Sequence, residues 1–223
     1  QAATAFLHAG GRADVGACLL AGPGDLPPEI RRAGDGRRGL WKPPAFLAEH
    51  AGLLPPPAAG PVLDLGCGCG RAAVWLATRG HDVTGVDILP DALALGRRLA
   101  DAAGARVTFL HGDLRDPAQV PAGPWAVVLA LRFLERPLLA RLDSLLPPGG
   151  VAVIRTFRDE PAAAGGPARP APVVKPRRPG RHQLRCGELR RLVPDPPFET
   201  LVLREDADPD GRPAAGLVAR RRP

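Results

Sequence analysis

The stretch VLDLGCGCGRAAVWLATRGHDVTGVDI, residues 62–88, holds the pattern on which the fold turns. An apolar run carries Asp64 and leads into a turn with glycines at alternate positions, Gly66, Gly68 and Gly70, and a second acidic residue, Asp87, closes the next apolar run. VLDL reads as a short buried strand, RAAVWLATRG as a helix closed by Gly80, and DVTGVD as a second strand. Strand, helix and strand of this length make a βαβ unit with parallel strands. Ligands of parallel sheets gather outside the carboxyl ends of the strands, where the amides of the next helix point outward. Glycines in that turn let the backbone take unusual torsions and approach a ligand closely. The spacing is not the dinucleotide fingerprint, because Arg71 stands where GxGxxG has its third glycine, and no GK[ST] follows to make a P-loop.

The alternation continues outward from this unit. PDALALGRRLADAAG reads as a helix, RVTFLHGD and WAVVLALRF as strands, RPLLARLDSLLPPGG as helix and turn, and VAVIRTF as a strand. After Phe157 a proline- and arginine-rich insertion runs to about His182, followed by a helix in CGELRRLV. FETLVLRED and AGLVARRR, joined by ADPDGRP, read as a terminal antiparallel hairpin. The expected architecture is α/β, a mostly parallel seven-stranded sheet covered on both faces, with that hairpin added at one side. Upstream, PAFLAEHAGLL reads as a helix stopped by PPPAAGP, since proline lacks an amide donor. Residues 1–40 show no sustained period apart from a short helix around PPEIRRA, and read as a flexible extension or lid on a domain spanning 41–223.

Composition narrows the class. A chain of 223 residues suits one α/β domain with a modest extension. The net charge is +7, but only Lys42 and Lys175 among the 30 basic residues are lysines, and methionine and tyrosine are absent, which suggests a compositional bias rather than a polyanion-binding surface. Apolar runs such as WAVVLAL stop far short of the ~20 residues of a membrane span. VGACLLAG has neither the length nor the flanking charge of a secretory signal. Cys18, Cys67, Cys69 and Cys186 are too scattered for a disulfide framework, so the expected setting is cytoplasmic. A CxC inside the glycine turn lacks the second ligand pair of a zinc site, and packing accounts for it.

The acids at the strand ends point to a nucleoside. Asp87 is placed to accept hydrogen bonds from both ribose hydroxyls. HGDL puts Asp113 and Leu114 beside an adenine, the acid accepting from its exocyclic amine and the Leu114 amide donating to a ring nitrogen. Asp64 would face the ligand's charged amino-acid part or hold the loop.

These residues resemble the class I S-adenosylmethionine-dependent methyltransferases. VLDLGCGCG is similar to their first motif, Asp87 to their second acidic position, GDL to their adenine motif, and LLPPGGVAVIRTF to their helix-turn-strand after the fourth strand. LWKPPAFL, LRFLERPLL and KPRRPGRHQLRCGELRRLVP resemble, more narrowly, small methyltransferases of the tellurite-resistance type, some of them fused to rhodanese-like domains. The resemblance implies a Rossmann-like fold, S-adenosylmethionine as cofactor, and Asp64, Gly66, Cys67, Gly68, Gly70, Asp87, Ile88, Asp113, Leu114 and Leu131 as its binding residues. It implies a small-molecule acceptor, anionic or thiol-like, near Trp41, Arg132 and Phe133. Other members often carry histidine where this chain has Glu135.

Methyl transfer from a sulfonium needs alignment and exclusion of water more than it needs a general base. Weak candidates for a catalytic role are Arg132, which can bind an anion through its planar fork, and Glu135; for a hydroxyl or ammonium acceptor His111 and His182 join Glu135 as candidate bases. His111 is read first as shaping the adenine pocket, and Trp41 and Phe46 as cover or core. DPPF, residues 195–198, matches an amino-methyltransferase tetrapeptide but follows a helix instead of closing the fourth strand, so it reads as a helix stop. Residues 169–191 hold eight basic side chains (Arg169, Lys175, Arg177, Arg178, Arg181, Arg185, Arg190, Arg191) against Glu188. Without aromatics for stacking bases, the segment reads as a lid or solvated surface rather than an RNA groove. The alternatives are methylation of RNA or protein, and a catalytically inactive donor-binding regulatory domain. The oligomeric state is left open.

Overall fold

The computed structural model describes residues 42–159, 183–209 and 211–223. The expected lid of residues 1–40, Trp41, His182 and the basic side chains from Arg169 to Arg181 fall outside the described residues.

Seven strands form one sheet in the order β3-β2-β1-β4-β5-β7-β6. They are β1 (Val62–Leu65), β2 (Val83–Asp87), β3 (Thr108–His111), β4 (Val127–Leu131), β5 (Val151–Phe157), β6 (Phe198–Ala207) and β7 (Pro213–Arg221). The first five are parallel, and β7 inserts antiparallel between β5 and β6. The chain order reverses between β1 and β4, which puts the crevice for a ligand at the end of β1.

The strands alternate between two cores. Leu63, Leu65, Val128, Ala130 and Ile154 face α4 (Arg136–Leu139), α5 (Leu142–Leu145) and α6 (Glu188–Leu192). Val62, Leu129, Val151 and Val153 face α1 (Ala45–Glu49) and α2 (Arg71–Ala77), while α3 (Pro90–Ala103) packs through Leu93 and Ala100 against Phe109. Because side chains two apart share a face, Asp64, Asp87, Leu131 and Arg155 all lie on the side of α1 and α2.

The structure differs from the sequence expectation in three local respects. The single helix expected over residues 136–146 is broken by a turn at Ala140 and Arg141, though Leu138, Leu139, Leu142 and Leu145 still fill one core. Trp125 is not in β4: its amide donates to the Leu145 carbonyl at 2.9 Å and its Nε1 to Pro121, so the ladder starts at Val127. The lead-in helix is short, ending at Glu49, and a separate 3₁₀ turn covers Ala51–Leu53.

Candidate functional site

The site is built on the turn from β1 to α2. Gly66, Gly68 and Gly70 all have positive φ, at 66°, 54° and 72°, which a side chain makes costly. Each has its own role. A Cβ on Gly66 would fall 2.4 Å from the Phe133 ring, and one on Gly70 would fall 2.6 Å from the Phe109 ring, so these two are packed against by aromatics. A Cβ on Gly68 would meet nothing within 4 Å; this glycine borders open space.

Asp87 closes the turn from below. The Gly68 amide donates to its Oδ2 at 2.7 Å and the Leu89 amide to its Oδ1 at 2.9 Å. The carboxylate therefore ties the glycine turn to the start of α3, and each oxygen keeps a second acceptor direction. Ile88, next in sequence, is 45% exposed, unusual for an isoleucine beside a buried acid. His111 Nε2 lies 3.2 Å from the Ile88 carbonyl oxygen, which ties the end of β3 to the residue after β2.

Asp64 is the least satisfied group of the site. It is 2% exposed, and its Oδ2 is buried with no hydrogen-bond partner among the described residues. Burial pushes its carboxyl up to about 7, the neighbouring Asp87 adds to the rise, and a hydrogen bond from the Ala73 backbone opposes it. Its ladder neighbours are Gly85 and Leu129, neither of which offers a polar side chain. Cys67 packs its sulfur over Gly85, where a Cβ would be 2.9 Å away, and burial drives its thiol well above the ordinary range. It is a packing residue. Among the described residues no group of three or more His, Cys, Asp or Glu side chains can hold a metal ion.

The corner expected to hold an adenine is partly engaged within the chain. The Asp113 carboxylate pairs with Arg115 at 2.5 Å, and the Asp113 amide donates to the Gln119 side chain at 2.9 Å. The Leu114 side chain is buried in the core, and Leu131 is half-buried at the end of β4.

On the far side of the crevice stands a cluster that sequence reasoning missed. Arg155, inside β5, is 7% exposed; its Nε donates to Asp208 Oδ1 at 2.9 Å and its Nη1 to Asp206 Oδ1 at 2.6 Å. Arg132, with φ of 59°, donates its amide to the Arg155 carbonyl at 2.5 Å and its Nη2 to Asp208 Oδ2 at 3.2 Å. Thus Arg132 is paired with an acid yet keeps its side chain 34% exposed. Arg132 and Arg212 also lie 5.3 and 4.0 Å from the Phe157 ring centroid. The available signal was a charged residue inside the apolar run VAVIRTF. Phe46 covers this cluster from α1, its ring centroid 5.3 Å from the Arg155 guanidinium; it presses on Gly216, where a Cβ would be 2.6 Å away, and lies tilted against His50 with ring centroids 4.5 Å apart.

Glu135 is half-buried at the start of α4, and its neighbour Arg136 pairs with Glu188 at 2.6 Å, holding α6 against α4. DPPF leads into β6 at Phe198, opposite Arg221 of β7 and so at the amino ends of the parallel strands, away from the crevice. That placement agrees with its reading as a stop.

Comparison with known proteins gives the same class. Residues 62–150 match the family described as methyltransferase domain, and the sheet has the strand order of the Rossmann-like methyltransferase fold. The chain is 31% identical over 112 residues to a ubiquinone biosynthesis O-methyltransferase of Xanthomonas axonopodis pv. citri, covering 48% of this chain and 47% of that one. The chain spans about half the length of the curated relatives it matches. Among solved structures, TehB from Haemophilus influenzae superposes with a TM-score of 0.58 at 19% identity, over 79% of this chain and 61% of that one. Magnesium protoporphyrin IX methyltransferase from Synechocystis, with S-adenosylhomocysteine bound, gives 0.56 at 20% identity, over 79% of each chain. Both likenesses establish the fold.

Proposed function

We propose that this chain transfers a methyl group from S-adenosylmethionine to a small-molecule acceptor, anionic or thiol-like. The observation that carries the reading is Asp64: a buried carboxyl with an oxygen unpartnered among the described residues, on the strand that leads into a glycine turn whose Gly68 has an open side-chain direction. A cationic amino-acid group of the donor satisfies that oxygen. Asp87 retains acceptor directions for ribose hydroxyls, and exposed Ile88 offers an apolar surface for a base. The residues present therefore fit an adenosyl amino acid.

When bound, the donor supplies a sulfonium-activated methyl group, so the chain needs chiefly to orient two reactants and keep water out. Gly68 brings the backbone against the donor, Gly66 and Gly70 hold the turn against Phe133 and Phe109, and Asp64 and Asp87 orient the donor's two polar ends. Leu131 and Phe133, at and just beyond the end of β4, exclude water from the crevice. Arg132 presents a partly exposed guanidinium at the acceptor side, held by Asp208 and backed by Arg155. Such a fork suits a carboxylate or oxyanion, which attacks without a general base. A small acceptor is in keeping with the relative that acts in ubiquinone biosynthesis and with the magnesium protoporphyrin IX enzyme of the same fold.

Two measurements test the proposal. Calorimetric titration should detect S-adenosylmethionine and S-adenosylhomocysteine, and the absence of binding to either removes the reading. A labelled-methyl screen across thiols, oxyanions, metabolites and tRNA should then label a small molecule. Label in tRNA moves the activity to RNA, and binding without transfer makes the chain a donor-binding regulatory domain.

A further inference from the structure

Donor recognition carries a consequence for protons. We infer that Asp64 enters the donor-free site as a neutral carboxylic acid and gives up its proton when the ammonium of the donor or its product arrives, so that binding near neutral pH releases a proton to solvent. The inference rests on the donor-binding reading above and concerns the coupling of that same site to pH.

The geometry leaves an ionised Asp64 little support. Among the described residues one oxygen has no hydrogen-bond partner, the carboxyl accepts a backbone N–H from Ala73, and no basic side chain bonds to it. The groups around it do not favour a negative charge. From β2 comes Asp87, itself acidic and already accepting the Gly68 and Leu89 amides; from the glycine turn comes Cys67, a buried thiol. From β4 the ladder partner is Leu129, and α2 contributes only the Ala73 amide. Arg97 of α3 acts on Cys67 and donates instead to the Phe109 carbonyl at 3.1 Å. A carboxyl next to a second carboxylate in a dry site holds its proton into the neutral range, in line with its rise to about 7.

An ammonium changes that balance. Its N–H donates to the orphaned oxygen, its positive charge offsets both carboxylates, and the proton of Asp64 leaves to the buffer. The balance is one acid and one ammonium before binding, and an ion pair with one protonated buffer molecule after it. Nothing is oxidised and no covalent bond between heavy atoms changes.

The test is titration of the full chain with S-adenosylhomocysteine, which retains the ammonium and does not react, in phosphate and in Tris at matched pH. The difference in apparent enthalpy between buffers reports protons released. The expected release is about half a proton at pH 7 and about a tenth at pH 8, and the affinity at pH 6 is about tenfold weaker than at pH 8. Two comparisons isolate the residue. 5′-Methylthioadenosine, which keeps nucleoside and thioether but has no ammonium, should bind without proton release, and Asp64→Asn should bind S-adenosylhomocysteine without it. Buffer-independent enthalpy for S-adenosylhomocysteine at pH 7 overturns the inference while leaving the donor site intact. Release that persists with 5′-methylthioadenosine overturns it equally, even if the variant does not fold. No binding of S-adenosylhomocysteine at any pH overturns both this inference and the reading it rests on.

Discussion

Replacing Asp64 by asparagine should stabilise the ligand-free chain, and the gain should grow with pH. In the folded chain the carboxyl is raised from 3.8 to about 7, chiefly by burial. In the unfolded chain it ionises near its ordinary value. Below about pH 4 both states are protonated and Asp64 contributes no difference. Between about pH 4 and pH 7 the unfolded state releases a proton that the folded state keeps, so folding stability falls by about 1.4 kcal/mol per pH unit. Above about pH 7 the loss levels off near 4 kcal/mol in full, and at no less than about 2 kcal/mol if the site relaxes around the charge. Asparagine, which carries no ionisable proton, escapes this loss. The assay is urea unfolding of wild type and variant at half-unit steps from pH 4.5 to 8.5. Taking the difference at each pH cancels carboxylates such as Glu188, whose pairing with Arg136 holds it low and acts in the opposite direction. The wild type should fall behind steadily up to about pH 7 and then hold a constant deficit. Parallel curves, or a variant weaker at every pH, refute the claim that Asp64 is buried as an acid.

The glycine turn should divide under substitution. Gly70→Ala, whose methyl would meet Phe109 at 2.6 Å, should cost about 3 kcal/mol of unfolding free energy. Gly68→Ala, with nothing within 4 Å, should cost about 1 kcal/mol from its positive φ alone while weakening S-adenosylhomocysteine binding at least tenfold. Equal losses of stability would contradict the assignment of separate roles. In the arginine cluster, Asp208→Ala removes the buried one of the two carboxylates that hold Arg155, both side chains being under a tenth exposed, and leaves it only the more exposed Asp206; it should cost about 3 kcal/mol by thermal unfolding. Asp206→Ala, whose side chain is 46% exposed, should cost under about 1 kcal/mol, and a larger effect than Asp208→Ala would reverse the ranking. Acceptor affinity should also respond: once a transferable acceptor is in hand, Arg132→Met should raise its KM at least tenfold, whereas donor affinity measured by calorimetry stays within about twofold.

How far the site could be read in advance depended on distance along the chain. Gly66, Gly68, Gly70 and Asp64 sit within one strand-to-helix turn, and Asp87 ends the very next strand, so their spacing carries the geometry of a βαβ unit in a single stretch of sequence. The cluster around Arg155 has no such local record. Arg155 meets Asp206 and Asp208 across 51 and 53 residues, and the meeting depends on β7 inserting between β5 and β6. The same holds for Phe46 over Gly216, a contact that only the closing of α1 onto the hairpin creates.

Short continuous apolar runs and helices of matching length between them were enough to specify seven strands and their mostly parallel sense, because each follows from the local pattern and from the handedness of βαβ connections. The charge state of the site was beyond that reach. Asp64 and Arg155 are, in the sequence, one acid and one base among many. Tertiary packing removed water from both, gave Arg155 two carboxylates and gave Asp64 one backbone amide and a neighbouring acid. Desolvation and pairing energies depend on what surrounds a group in space, and only the assembled sheet sets those surroundings.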